Sequence, residues 1–525
     1  MVKKEAGIKK ATKPVVLIIL DGWGIAKPNY GNAITLAKTP AMNYYTRNFP
    51  NTLLTAHGSK VGLPRKQEGN SEAGHMNIGA GRIIEQDSVV ISKSIVDGTF
   101  FRNAAFLEAI NHVKRHQSRG EKANIHIMGL LSNHESAHST PEHLYALLKL
   151  CQDHRLKNVY LHLFTDGRDS PRYSAIKMLA RLKKEFKNGE KIATVSGRYY
   201  AMDRISNWKK TELVYNAMVQ GRGLVAESAE EAILQAYNRG ASDEFIYPTV
   251  IVDEDKKPIG VIGDHDSIIF FNLRSDRARQ MAKPFLDLDF KGFRRGRMLH
   301  DFRFVAMTDF GPDLPYVLTA FPGEILNDTL PSILEKRRQL YIAEREKYSH
   351  ITYFLNGGHA DPCDGENRIM VKSLDVPTYD LAPEMSAPEI THVVKDSIEH
   401  DIYDFIAINF ANPDMIGHTG NLKAGVKTVE IVDKCVGEIV RPVLAAGGNV
   451  IITADHGNVE EMINKKTGEI DTEHSTNPVP FILVSKDKDL AKLKLKKGIL
   501  ADVTPTILKM MGVKKPGIMT RRGLI

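Results

Sequence analysis

Val15-Val16-Leu17-Ile18-Ile19-Leu20 runs straight into Asp21, and the same construction returns twice near the other end of the chain. Phe405-Ile406-Ala407-Ile408-Asn409-Phe410 leads to Asp414 and His418. Val450-Ile451-Ile452-Thr453-Ala454 ends at Asp455-His456. Short apolar, β-branched runs without alternation suit strands covered on both faces of a parallel sheet. Such sheets place ligands just outside the carboxyl ends of their strands. Three distant Asp/His groups would then meet at one edge, which is how a fold assembles a metal site. The expectation is an α/β metalloenzyme.

The chain has 525 residues, enough for two or more domains. Its 42% hydrophobic and 26% charged residues are those of a globular protein that stays in water. Cys151, Cys363 and Cys435 stand far apart in no CxxC pattern, which excludes a disulfide scaffold and a thiolate zinc cluster. A reducing compartment, the cytoplasm, is expected. No apolar run approaches the ~20 residues of a membrane span. The basic start, Met1 to Lys13, precedes too short an apolar run for a secretory segment and is expected to be a solvated tail. The net charge of +8 suits acidic substrates or nucleic acid, or a charge spread over a large surface. No zinc-finger spacing or RNP-like aromatic pattern accompanies it, so no nucleic-acid partner and no membrane partner are expected.

Metal-type residues cluster at the two ends of the chain. The stretch between has its own strand signals, Ala123–Leu131, Asn158–Phe164, Lys191–Val195 and Ser267–Asn272. Helical patterns such as Ala175–Phe186 and Asn207–Val219 lie between them. Alternating β and α segments mean a second α/β sheet. Its strand ends carry Arg and Asp in place of metal-ligand pairs. The expected organisation is a discontinuous metal-binding domain, 1–85 and 320–525, with an Arg-lined substrate domain inserted over 86–319.

Asp414 and His418 fall within one turn if that segment is helical. His474 lies in a polar loop before Pro478-Val479-Pro480-Phe481. With Asp21, Asp455 and His456 this makes three Asp and three His. Carboxylate plus imidazole without thiolate suits Mn²⁺ or Zn²⁺, and Mg²⁺ less well. Six ligands are too many for one open catalytic site and about right for two. Gly69-Asn70-Ser71-Glu72 reads as a turn feeding a helix. In isolation Ser71 is best read as an N-cap. Beside a two-metal centre its hydroxyl pKa would fall, and it becomes a nucleophile. Arg168, Asp169, Arg198, Arg204, Arg274 and Arg277 follow the strands of the second sheet. Any one Arg is ordinarily a surface residue. Several at successive strand ends suit a substrate bearing phosphate and carboxylate, which guanidinium binds bidentately.

These segments resemble the cofactor-independent phosphoglycerate mutases of the alkaline phosphatase superfamily. The matching stretches include LIILDGWG from Leu17, GNSEAGHMNIGAGR from Gly69, TDGRDSPR from Thr165 and SGRYYAMDR from Ser196. They continue with FFNLRSDRARQ from Phe270, AEREKY from Ala343, NFANPDMIGHTGN from Asn409, TADHGNVEEM from Thr453 and EHSTNPVPF from Glu473. The resemblance implies an alkaline-phosphatase-like doubly wound metal domain with an inserted second α/β domain. It implies two Mn²⁺, with Mg²⁺, Zn²⁺ or Co²⁺ as substitutes, and no bisphosphoglycerate. One ion would be held by Asp21, Ser71, Asp455 and His456, the other by Asp414, His418 and His474. Ser71 would accept the phosphoryl group, and Lys347 would stabilise charge on it in transfer. Arg274 and Arg277 would hold the phosphate. His138, Asp169, Arg168, Arg198 and Arg204 would bind the glycerate, with Asp169 or His138 moving the proton. The substrates would be 2- and 3-phosphoglycerate, interconverted by a monomer, with closure of the inserted domain excluding water.

The chain departs from the family pattern over Ser132–Thr140, where either His138 or His134 could meet the substrate. It departs again at Ile205-Ser206-Asn207-Trp208, and at Ser275, Tyr341 and Arg345. The metal ligands and Ser71 show no departure.

Overall fold

The computed structural model describes residues 13–134, 136–311, 313–464 and 467–525. Most of the tail expected over Met1–Lys13 lies outside the described residues. The chain divides into two compact units, Met1–Gln86 with Ile325–Ile525, and Asp87–Glu324. Among the described residues each unit is built on one eight-stranded sheet.

In the first unit the strands run, across the sheet, Glu366–Val371, Gln339–Glu344, Phe405–Phe410, Val15–Leu20, Asn449–Thr453, Val479–Ser485, Asn51–Thr55 and Gly498–Ile499. Val15–Leu20 is central because every one of its side chains is apolar and buried. Burying each such side chain contributes roughly 1.5–3 kcal/mol, so a charge anywhere in this strand would not be tolerated. Helices pack in two groups, Leu422–Ala445 with Ala387–Glu399 and Pro40–Asn48, and Ser71–Ala80 with Val503–Met510.

Register then fixes the site. Val15–Leu20 lies parallel to Phe405–Phe410, with Leu20 opposite Phe410, and parallel to Asn449–Thr453, with Ile19 opposite Thr453. Gln339–Glu344 is parallel to Phe405–Phe410. Asp21, Asp414, Asp455 and Lys347 therefore leave the sheet at the same edge. The sheet is not wholly parallel, as the apolar runs suggested. Val479–Ser485 runs antiparallel to Asn449–Thr453. An antiparallel strand begins where its neighbours end, and this is what brings His474, just ahead of it, to the same edge.

In the second unit the order is Val317–Phe321, Arg303–Thr308, Ser267–Phe270, Ile125–Leu131, Val159–Thr165, Lys191–Gly197, Thr249–Ile251 and Leu224–Ala226. All neighbours are parallel except Lys191–Gly197 with Thr249–Ile251. The segments 132–140, 166–169, 198–204 and 274–277 follow the carboxyl ends of its strands. Two apolar cores lie against this sheet, one around Phe106, Leu147 and Leu163 and one around Phe164, Tyr215 and Phe270.

Candidate metal centre and arginine set

The helix Ser71–Ala80 is capped by Asn70, whose side-chain oxygen accepts from the Ala73 amide at 2.9 Å. Ser71 is the first helical residue and not the cap, which leaves its hydroxyl free for other partners. Ser71 Oγ lies 2.9 Å from His456 Nε2, 3.2 Å from Asp21 Oδ1 and 2.7 Å from Lys347 Nζ. Two glycines allow this crowding. A Cβ on Gly22, at φ +74°, would stand 2.7 Å from Asp414 Cα, and one on Gly74 would stand 2.8 Å from Asp455 Cβ.

The acidic and imidazole groups come together in overlapping sets. Asp414, His418 and His474 form one, Asp21, Asp414 and His456 a second, and Asp21, His75 and Asp455 a third. His418 Nε2 and His474 Nε2 lie 3.4 and 3.3 Å from Asp414 Oδ1 and 3.1 Å from each other. His456 Nε2 is 3.4 Å from Asp21 Oδ1 and 3.6 Å from Asp455 Oδ2. Donor atoms about 3 Å apart are the edges of a coordination shell with bonds of ~2.0–2.2 Å. The imidazoles are also oriented for it. His418 Nδ1 faces the Thr472 carbonyl at 2.8 Å, His474 Nδ1 the Gly69 carbonyl at 2.8 Å and His456 Nδ1 the Gly457 carbonyl at 3.3 Å. Each Nδ1 is set to donate to a backbone carbonyl, which leaves each Nε2, once unprotonated, facing inward as the ligand atom, the usual support for a metal-ligating histidine. Asp455 Oδ2 is buried with no hydrogen-bond partner. A buried carboxylate oxygen with no hydrogen bond of its own is costly unless a cation meets it, so the residues fit divalent ions.

Lys347 is buried among the same acids, 2.7 Å from Asp21 Oδ1 and 2.6 Å from Asp414 Oδ2. Burial would lower its pKa, but the Asp21 and Asp414 carboxylates outweigh burial and hold it firmly charged. Burial would likewise raise Asp21 and Asp414. Lys347 outweighs it, helped by His456 at Asp21 and by His418 at Asp414, and both stay well below the usual carboxylate range.

The three histidines do not share one pKa. Burial opposes charge on His456, but Asp455, Asp21 and Asp414 outweigh it and push it up to about 10. Burial also opposes charge on His418, where Asp414 prevails and raises it. Burial and His456 lower His474. In the metal-free protein the stabilising charge on His456 is fully present below about 6.5, the unperturbed value, and is lost as pH rises through about 10. The depressed carboxylates stabilise above about 3.9 and lose that contribution as pH falls through their folded values. Ligation needs a neutral imidazole, so a metal held by His456 would have to expel its proton. Apparent metal affinity is expected to rise by about tenfold per pH unit between pH 6.5 and 8.5, with about one proton released or more. Calorimetric titration in buffers of different ionisation enthalpy checks this. An affinity flat across that range would refute it.

Residues that the sequence reading passed over support the centre. Asn409 Nδ2 donates to Asp21 Oδ2 at 2.7 Å and lies 3.0 Å from His75 Nε2. His75 Nδ1 lies 2.9 Å from the Ser71 carbonyl and 3.3 Å from Asp455 Oδ2. Asn458 Nδ2 donates to Asp414 Oδ1 at 2.9 Å. Buried Glu460 accepts from the Gly24 and Asn458 amides and so ties the Asp21 turn to the His456 loop. The signal was positional: each stands within a few residues of a named ligand.

In the second unit Arg198 is buried and paired with Asp166 at 2.5 Å and Asp169 at 2.8 Å. It holds the 166–169 turn more than it faces outward. Ser136 donates to Asp169 Oδ2 at 2.8 Å. Burial raises the Asp169 carboxyl, and Arg198 outweighs it and leaves it lowered. Arg204 and Arg274 both approach Asp276, at 3.2 and 3.9 Å, and Arg277 donates to the Met202 carbonyl at 3.2 Å. Arg168 lies 3.7 Å from Glu244. Burial, then Arg204, Arg198 and Arg168, lower the Arg277 pKa. Guanidinium groups close enough to repel one another are a site that an anion would relieve. His138 is buried near Asp169, Arg198, Arg274 and Asp276, and burial followed by Arg198 pushes it down to about 4. His134 stands apart, exposed beside Glu142 at 3.4 Å.

A mixed α/β sheet whose strand ends gather Asp and His around a serine is the mark of one class, and the model of the metalloenzyme superfamily matches residues 13–515. The 2,3-bisphosphoglycerate-independent phosphoglycerate mutase of Clostridium kluyveri is 48% identical over 517 residues, 98% of this chain and 99% of that protein. That of Clostridioides difficile is 49% identical over 518 residues, with the same coverage. A solved structure of Leishmania mexicana phosphoglycerate mutase at low cobalt concentration matches with a TM-score of 0.73 at 29% identity, over 98% of each chain. The chain belongs to the 2,3-bisphosphoglycerate-independent phosphoglycerate mutase family.

Proposed function

We propose that the chain interconverts 3-phosphoglycerate and 2-phosphoglycerate by passing the phosphoryl group through Ser71. The observation that carries this is the position of Ser71 Oγ, released from capping by Asn70 and set among His456, Asp21 and Lys347. Two divalent cations, Mn²⁺ in this reading, would be held by Asp21, Ser71, Asp455 and His456 and by Asp414, His418 and His474. They would supply positive charge at the transferring group and lower the serine pKa.

Ser71 Oγ, already ionised, attacks phosphorus in line, the bond from phosphorus to the glycerate oxygen breaks, and phosphoserine forms; the return transfer restores the serine alkoxide. The Lys347 ammonium offsets charge on the equatorial oxygens. The arginine set keeps the glycerate. Arg274 and Arg277 take the phosphate of the incoming substrate, while Arg168, Arg204 and the Arg198-braced Asp169 meet the glycerate. Asp169 or His138 gives a proton to the glycerate oxygen as it leaves, and takes the proton of the second hydroxyl as that attacks the phosphoserine. In the free protein burial and then the charge of Arg198 depress His138, and Arg198 outweighs burial to depress Asp169. A bound anion cancels that charge and makes both stronger bases. Water has to be kept from the phosphoserine throughout, or hydrolysis replaces return. The reading includes a monomer in the cytoplasm. Among the described residues no helix is long and apolar enough to cross a membrane.

Given 3-phosphoglycerate, Mn²⁺ and no bisphosphoglycerate, the protein is expected to yield 2-phosphoglycerate. Chelation should abolish turnover, Mn²⁺ should restore it, and bisphosphoglycerate should not. Turnover by chelated protein on adding bisphosphoglycerate would overturn the metal-serine route.

A further inference from the structure

The second sheet has an opposite edge, at the amino ends of its strands, and a histidine cluster lies there with no part in the reaction above. His112 and His116 fall one turn apart on the buried face of the helix Ala104–Ser118. The turn after that helix brings Glu121 back to His116. The loops entering the strands Ser267–Phe270 and Arg303–Thr308 present His265 and Asp301.

Two of these imidazoles converge on one carboxylate, and the third meets the backbone of the same residue. His116 Nε2 lies 3.1 Å and His265 Nδ1 3.5 Å from Asp301 Oδ2, and His112 Nε2 lies 3.0 Å from the Asp301 carbonyl. The ring centroids of His116 lie 4.2 Å from His265 and 4.6 Å from His112. The two imidazole-to-carboxylate spacings match the edge of a tetrahedron with metal bonds of ~2.0–2.2 Å, about 3.3 Å. His116 Nδ1 is hydrogen-bonded to Glu121 Oε2. A carboxylate on the far nitrogen of an imidazole is the outer support of a metal-ligating histidine.

Two further observations point to a missing occupant. His265 Nδ1 is shielded from water, and its partner, Asp301 Oδ2, stands at the long distance of 3.5 Å. Both loop residues, His265 at φ +67° and Asp301 at φ +43°, hold left-handed backbone without being glycine. Such strain collects where side-chain placement matters. The nearby cation is Arg303, which lies 3.5 Å from Asp301 Oδ1 and leaves Oδ2 to the imidazoles.

We propose that His112, His116, His265 and Asp301 bind a divalent transition-metal ion of the zinc class, with Glu121 orienting His116. Three imidazoles and a carboxylate without thiolate favour Zn²⁺ over Mg²⁺ or Ca²⁺. The half-exposed Asp301 leaves an entry path and room for water. The ion would fasten the helix to two strand-entry loops and so have a structural role.

Full-length Mn²⁺-loaded protein is dialysed against low-micromolar buffered Zn²⁺, and both metals are counted per chain. His265→Asn and Asp301→Asn are treated alongside, since Asn accepts left-handed backbone. Any Zn²⁺ entering the serine centre does so equally in all three proteins. Wild type is expected to hold one Zn²⁺ per chain more than either variant, with equal mutase turnover. Equal zinc counts in all three proteins would overturn the site and leave the cluster as imidazoles paired to carboxylates.

Discussion

Replacing Ser71 by alanine is expected to reduce mutase turnover by roughly 10⁴- to 10⁶-fold, the scale seen when a covalent nucleophile is removed. The fold should survive. Ser71 is the first residue of its helix, and the cap is Asn70, so alanine there removes no capping hydrogen bond. Circular dichroism and the thermal midpoint should match the parent, and the protein should still bind metal through the six Asp and His ligands. Turnover within about tenfold of the parent in a folded, metal-loaded variant would remove Ser71 from the reaction.

Lys347→Met should act on both stability and rate. In the metal-free protein Lys347 is the cation set directly between Asp21 and Asp414. Its removal leaves the two buried carboxylates to imidazole partners, His456 at Asp21 and His418 at Asp414, and breaking a buried pair costs up to about 3–5 kcal/mol. Divalent ions would offset much of that loss, so the metal-free variant should melt well below the parent and recover most of the difference when loaded. Turnover of the loaded variant should still fall about 10²- to 10³-fold, the usual effect of deleting one electrostatic stabiliser of a developing charge. A variant with full turnover would leave Lys347 as a counterion alone.

The centre was legible where strand and ligand adjoin. Asp21, Asp414 and Asp455-His456 follow apolar runs that can only be strands, and a shared parallel register brings their ends together. His474 was legible as a ligand type, yet its arrival depends on an antiparallel strand that an apolar run does not reveal. Ser71 and Asn70 are both good caps, and only the hydrogen bond to Ala73 decides between them. Asn409 reads as one more strand residue, and His75 as one more helix residue. Their roles come from which face each presents, set by tertiary packing. Arg198 reads like its neighbours Arg168 and Arg204, but burial against Asp166 makes it a brace. A free imidazole has a pKa near 6.5, and nothing in the sequence around His418, His456 or His474 separates the three. Shared burial with three carboxylates separates them instead, upward at His456 and downward at His474.

The same logic separates His138 from His134 without any family pattern. Both lie in one polar loop. His138 is buried beside Asp169 and Arg198, and His134 is exposed beside Glu142. In the proposed reaction the proton carrier sits among the groups proposed to hold the substrate, and of these two histidines His138 is the one so placed.

The most direct test of the central reading follows the phosphoryl group itself. Metal-loaded protein is given a mixture of 3-phosphoglycerate labelled in both phosphate and glycerate with unlabelled 3-phosphoglycerate, and the 2-phosphoglycerate formed is analysed by mass. Transfer through Ser71 with the glycerate retained predicts product in which the two labels stay together, with little free phosphate. Phosphate exchanged between labelled and unlabelled glycerate, or released as inorganic phosphate in step with turnover, would contradict it.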